Sequence, residues 1–201
     1  MYLIEYPGRY DNDWPMLSRI LATITGIGII SLAPFARALE AVVNEVLVYP
    51  GSFARHAILS SAALICLIAV ALYVRTVHAR HGKGFLFRHA GLLVTALILV
   101  STQVHLLVEI WHLVSYGVLG SLIAVSLPWS SRIWLTTLFY GNLVSLADEV
   151  FQGILPDRFF DLRDLLLNFS GIIIGIFLVE PFARTSPGQV LGSTADIGAP
   201  A

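Results

Sequence analysis

The sequence predicts an all-α fold, a polytopic transmembrane helical bundle of about six membrane-spanning helices. Three observations carry that prediction. Apolar residues fill 57% of the 201 positions and charged residues only 12%, about half the share usual in a soluble domain. Mean hydropathy is +0.80. Uncharged runs recur at membrane-spanning length, and no strand-like alternation is sustained over barrel-length segments. A chain this apolar cannot cover a soluble core with polar surface, which excludes an ordinary cytosolic enzyme and a disordered regulator. The net charge of −1, from 12 basic and 13 acidic residues, leaves no basic field to hold a polyanion, so no nucleic-acid partner is expected. A single cysteine, Cys66, excludes a disulfide framework and any multi-cysteine metal site. It reads as a small apolar residue of the second helix.

A hydrocarbon core about 30 Å thick needs roughly 20 helical residues. Stretches free of Asp, Glu, Lys and Arg lie at Ile20–Ala36, Ala57–Val74, Ala90–Val108, Ile110–Ser131, Ile133–Ala147 and Leu165–Val179. Flanking residues extend the last two. The first helix reads as retained, because the N-terminal residues carry Glu5, Asp11 and Asp13 and lack a cleavable signal pattern. After it, Arg37–Val48 intersperses Arg37, Glu40, Asn44 and Glu45 with apolar residues and predicts an amphipathic helix on the outer surface. The segment Arg75–His89 holds Arg75, Arg80, Lys83 and Arg88 and is assigned as a cytoplasmic loop. In it, His78, His81 and His89 read as solvated flank residues, with pH sensing or binding of anionic lipid as the sharper alternative. From Ala90 to Ser131 the one charge is Glu109. A straight helix of that length overruns the bilayer at ~1.5 Å per residue, which predicts a turn near 103–110. Trp111, Trp129 and Trp134 fall at helix ends, as an interfacial aromatic belt does.

Counting spans from the basic loop puts eight Lys and Arg on the cytoplasmic side and four outside, so both termini are expected in the cytoplasm. Three regions follow: an N-terminal hairpin over 1–89, a four-helix membrane domain over 90–180, and a tail over 181–201 whose Gly, Ser, Thr and Pro content predicts disorder.

The chemistry-bearing residues gather at the predicted outer face. Glu109, His112, Tyr116 and Gly120 fall within about 80° of one another at ~100° per residue in the fourth helix. Asn142, Ser145, Glu149 and Gln152 do the same in the fifth, with Asp148 pointing further round. Asp164, Asn168, Gly171 and Gly175 share a face of the sixth. Gly171 and Gly175 form a GxxxG pair, which permits close helix approach. Charges buried there without partners cost several kcal/mol, so the three stripes are expected to face each other, with Arg158 against Glu149, Asp161 or Asp164. Asp157 to Asp164 also reads as a locally paired charge run.

The segment DEVFQGILPDRFFDLRDLLLNFSGIIIG (148–175) resembles the signature of the VanZ-like family, with Glu149, Gln152, Pro156, Arg158, Asp164, Asn168, Gly171 and Gly175 in matching places. EIWHLVSYGVLG (109–120) is similar to an upstream family segment through Glu109, His112, Tyr116, Leu119 and Gly120. Ile110 stands where that segment often has Lys. The resemblance covers about 90–180. It implies a multi-pass protein of the bacterial cytoplasmic (inner) membrane, in a family named for reduced susceptibility to the glycopeptide teicoplanin. It supplies no reaction.

For Glu109, His112, Tyr116, Glu149, Gln152, Arg158, Asp161, Asp164 and Asn168, the readings are a structural lock, a ligand site, or a metal site. The Glu-x-x-His spacing of Glu109 and His112 puts two ligand types on one face, and Glu149 adds a third. No second histidine stands on a neighbouring helix unless His105 folds back, so no metal and no cofactor are expected. Catalysis lacks a marked nucleophile: Ser145 is on the right stripe but on no sequence elbow. A His112/Glu149 acid–base pair is the remaining enzymatic option. The expected function is therefore non-catalytic, and the resemblance implies an envelope-related role. The alternatives are an accessory or assembly subunit of a larger respiratory or photosynthetic membrane complex, and a membrane-embedded hydrolase or transferase acting on a lipid-linked substrate. The expected partners are the lipid bilayer and, for the subunit reading, other membrane proteins.

Overall fold

The computed structural model describes residues 14–43, 45, 53–101, 109–127, 132–156 and 158–183. Most of the turn expected at 103–110, the tail beyond 183, Trp129 and Asp157 lie outside the described residues. Among those described, every regular element is helical: α1 (Trp14–Leu32), α2 (Ala36–Val43), α3 (Phe53–Ser101), α4 (Ile110–Ser126), α5 (Ile133–Ile154) and α6 (Leu162–Ala183). A single 3-10 turn, Ala33–Phe35, joins α1 to α2, with Pro34 in its first turn, where a missing N–H costs nothing. Two helical stretches, Met16–Leu39 and Leu162–Phe182, are long and apolar enough to cross a membrane, and α4 is apolar but shorter.

The core lies between α4 and α6. Tyr116, Leu119, Ile123, Ile172 and Ile176 are buried together there, with Ala22 and Ile29 of α1 and Trp134 and Leu138 of α5 closing the sides. Small residues set the spacing of the two helices. A Cβ added at Gly171 would meet the Leu113 carbonyl oxygen at 2.6 Å, and one added at Gly120 would meet Ile172 Cα at 2.8 Å. A Cβ on Gly175 would overlap the Gly117 carbonyl oxygen. Backbone therefore touches backbone, the arrangement that small-xxx-small faces permit. Ser121 Oγ crosses this contact to donate to the Gly175 carbonyl at 3.1 Å. Away from the core, Met16, Ile24, Ile65, Leu67 and Leu135 point outward. Apolar side chains exposed this widely need a cover other than water.

The basic segment Arg75–His89 differs from the expected loop. It is helical on both sides of one break, at Gly82, where φ is 77° and ψ is −179°. Tyr73 Oη donates to the Phe177 carbonyl at 3.3 Å, and the His89 ring meets the Phe177 ring edge-on at 5.5 Å. A straight helix would hold residues 73 and 89 about 24 Å apart at ~1.5 Å per residue. Contact of both with Phe177 shows that α3 folds back at Gly82. The reversal takes one residue because glycine alone reaches this backbone conformation without steric strain.

Two histidines of this segment are also not solvated. His89 is fully buried, its Nε2 lies 3.1 Å from Glu180 Oε2, and its ring stacks on Phe85 at 4.3 Å. His81 Nε2 lies 2.6 Å from the Pro181 carbonyl oxygen. The reason lies in α6: its C-terminal end presents the Glu180 carboxylate and the Pro181 carbonyl of its last turn, and imidazoles supply the partners those groups need once buried. His78 stays exposed. Trp134 likewise turns inward, edge-on to Phe177 at 4.7 Å, whereas Trp111 is half-exposed.

Gly82→Ala should lower the apparent melting temperature of the purified protein, because a Cβ there costs about 1–3 kcal/mol. Gly84→Ala, two residues on and in open space, should leave it within error. Equal melting temperatures for the two variants would contradict the reversal at Gly82. Gly175→Ala should prevent stable folding, while Gly28→Ala, with nothing within 4 Å of its added Cβ, should not. Size-exclusion profiles in mild detergent separate these outcomes.

Candidate functional site

The polar residues collect where α5 ends and α6 begins. α5 closes with the Leu155 N–H donating to the Gln152 carbonyl at 3.0 Å, and a turn follows in which the Arg158 N–H donates to the Leu155 carbonyl at 3.2 Å. Asp161 then caps α6: its Oδ1 accepts from the Arg163 N–H at 2.8 Å, satisfying one free donor of the first turn. The Asp161 N–H donates in turn to Glu149 Oε2 at 3.2 Å, so the carboxylate that ends α5 fixes the start of α6.

Two short chains of contacts cross between helices, and a third ties α5 to the turn that follows it. In the first, Tyr116, fully buried on α4, donates its hydroxyl proton to Asp148 Oδ2 at 3.1 Å. In the second, Asn168 Nδ2 donates to Ser145 Oγ at 2.9 Å, and its Oδ1 lies 3.0 Å from His112 Nδ1. The other ring nitrogen, Nε2, lies 3.6 Å from Asp164 Oδ2. In the third, Gln152 Nε2 donates to Glu149 Oε1 at 3.3 Å, and Gln152 Oε1 accepts from Arg158 through both Nε, at 3.2 Å, and Nη2. Glu149, Asp148, Gln152, Asn168 and Ser145 are all buried.

The structure thus brings Glu109, His112, Tyr116, Glu149, Gln152, Arg158, Asp161, Asp164 and Asn168 to one end of the bundle. Gly171 and Gly175 lie one to two turns further along α6, against α4. The pairing of the arginines differs from expectation. No carboxylate of the described residues lies within ion-pair distance of Arg158, whose guanidinium is taken by Gln152. The ion pair goes to Arg163, whose Nη2 lies 2.5 Å from the buried Glu109 Oε1 and 3.7 Å from Asp161 Oδ2. Helix phase does not resolve which of two neighbouring arginines a long side chain carries to a carboxylate.

Asp148 is a second departure. It is buried and faces α4, because the buried Tyr116 hydroxyl needs an acceptor and Asp148 is the residue of α5 that reaches it. Tyr116 on the polar stripe was the signal for this pairing. Ser145 is held by Asn168 rather than presented as a nucleophile.

A cavity of about 290 Å³ opens beside this network. Its apolar wall comes from Ile29, Leu32 and Leu39 of α1 and α2, and its polar wall from His112, Asp148, Gln152, Arg158, Arg163 and Asp164. One histidine and two carboxylates, His112, Asp148 and Glu149, each place a potential ligand atom within 4.8 Å of the other two.

Comparison with known protein families matches VanZ/LLP1 over residues 18–183. The match reaches further than the motifs alone delimit: it takes in α1, α2 and α3 as well as the segment 90–180. No curated protein and no solved structure matches this chain. The all-helical bundle, the motif residues gathered at one of its ends, and a match over most of the sequence agree: the chain belongs to the VanZ/LLP1 family.

Proposed function

We propose that this protein is a multi-pass protein of a bacterial cytoplasmic membrane, with about six spans and both termini inside, and that it binds the polar end of an amphiphilic envelope component without transforming it. The observation that supports this reading is the two-sided cavity. An apolar wall from α1 and α2 stands opposite guanidinium, imidazole and carboxylate groups. Such a cavity accepts a headgroup while the attached chain stays against lipid-facing helices. Its volume of about 290 Å³ suits a headgroup-sized moiety rather than a whole lipid. A passive role is supported by the commitment of the candidate nucleophile, since the Ser145 hydroxyl is engaged by Asn168.

The sidedness is supported by the distribution of charge. The Gly82 reversal, with Arg75, Arg80 and Lys83 around it, contacts the C-terminal end of α6, opposite to the cavity. Lys and Arg concentrate on the cytoplasmic side of membrane proteins, which supports an outer position for the cavity.

Two measurements test this reading. In a Cys66→Ala background, Phe159→Cys should react with a membrane-impermeant maleimide in intact cells, and Lys83→Cys only after permeabilisation; the reverse pattern inverts the topology. In a host lacking the gene, Arg158→Ala and Arg163→Ala should each return teicoplanin susceptibility to the empty-vector level while the protein remains monodisperse in detergent. Full retention of the phenotype by both variants, or co-purification of a stoichiometric partner subunit from gently solubilised membranes, would count against a solitary binding protein.

A further inference from the structure

We infer that His112, Asp148 and Glu149 form a site for one divalent first-row transition-metal ion of the kind that takes mixed nitrogen and oxygen ligands, such as Zn²⁺ or Mn²⁺. Three independent features of the site point to it.

The first is geometry. The three ligand-type side chains come from two helices and converge within 4.8 Å, a spread that a central ion held at about 2.0–2.2 Å from each ligand can span after small side-chain shifts. The second is an orphaned acceptor. Asp148 is buried and lines the cavity, yet its Oδ1 has no hydrogen-bond partner among the described residues. A buried carboxylate oxygen without a donor is costly, and a cation is one of the few things that satisfies it. The third is charge. Among the described residues, Glu109, Asp148, Glu149, Asp161 and Asp164 share the surroundings of the cavity with Arg37, Arg158, Arg163 and one imidazole. The carboxylates outnumber the permanent cations, and a divalent ion offsets that imbalance.

The contacts behind each ligand orient it toward such an ion. The Asn168 amide nitrogen donates to Ser145, which leaves Asn168 Oδ1 facing His112 Nδ1. Nδ1 must then carry the ring proton, and neutral His112 keeps the lone pair on Nε2. Asp148 is held through its other oxygen by Tyr116, and Glu149 by Gln152 and the Asp161 N–H. Glu149 keeps a second lone pair on each oxygen. Asp164, 3.6 Å from His112 Nε2, stands ready as a further oxygen ligand. The imidazole favours Zn²⁺ over Mg²⁺ and Ca²⁺, and the two carboxylates also suit Mn²⁺. Glu109, the partner that sequence spacing gives His112, is not in the group, because Arg163 holds it. The metal site does not depend on the headgroup reading, which rests on Arg158 and Arg163.

The test is metal content. Tag-free protein is stripped with a chelator, equilibrated with ZnCl₂ or MnCl₂, passed through gel filtration, and assayed by elemental mass spectrometry. Wild type should retain about one ion per chain. Asp148→Asn and His112→Ala should each weaken retention at least about tenfold, while Glu109→Gln should retain it. Excess Mg²⁺ or Ca²⁺ should not displace the ion. On the wild type alone, Co²⁺ should give visible d–d bands that Zn²⁺ abolishes, which keeps the test decisive if a variant fails to fold. Wild type that retains none of Zn²⁺, Mn²⁺ or Co²⁺ overturns the inference. Loss of metal from Glu109→Gln to the same extent as from Asp148→Asn overturns the ligand assignment.

Discussion

The contact between α4 and α6 is the constraint on which the site depends. Gly171 and Gly175 let the α6 backbone lie against Leu113 and Gly117 of α4, and Gly120 admits Ile172 from the other side. With no side chain between the backbones, the residues one turn beyond are drawn together as well. His112 on α4 and Asn168 on α6 can bond at 3.0 Å only because the helices below them are this close. The glycines carry no chemistry themselves. They set the distance at which the chemistry of neighbouring turns takes place.

Low polarity makes that network cooperative. Buried polar groups must find partners, and here Glu149, Gln152 and Asn168 each have a second engagement. Glu149 accepts from Gln152 and caps the approach to α6 through the Asp161 N–H, and Gln152 in turn receives Arg158. Asn168 links α6 to both α4 and α5. Removing one member leaves others unsatisfied in a site where water has limited access. The opposite end of the bundle uses the same rule in a different form: the reversal at Gly82 is clamped to α6 by His81 on the Pro181 carbonyl and by His89 on Glu180. The two ends of α6 are thus fixed independently, which leaves the cavity end free to specialise.

Much of the site was legible from residue spacing. Glu149 with Gln152, and Asp164 with Asn168, each sit at helical intervals on one face, so helix phase alone grouped them. What phase cannot supply is the choice among long or flexible side chains. Arg158 and Arg163 both flank the α5–α6 turn, and which one reaches Glu109 depends on the capping geometry of Asp161. Asp148 was misplaced for a related reason: the end of α5 is covered on more than one side, so two successive residues, Asp148 and Glu149, are both buried. In α3, charge density marked Arg75–His89 as a loop, yet a single glycine makes the turn and the charged residues remain helical. Burial of His89 follows from Glu180, a lone acid at the far end of an apolar helix, whose need for a partner only the tertiary arrangement reveals.

The central claim is that distant polar residues converge at one end of the bundle, opposite the Gly82 reversal. Pulsed electron–electron double resonance in lipid nanodiscs measures this directly, with spin labels on a Cys66→Ala background. Labels at Trp111 and Phe159 should give a short distance. Labels at Phe159 and Lys83 should be separated by roughly the length of α6, on the order of 30 Å at ~1.5 Å per residue. A Trp111–Phe159 distance as long as the Phe159–Lys83 distance would contradict the account.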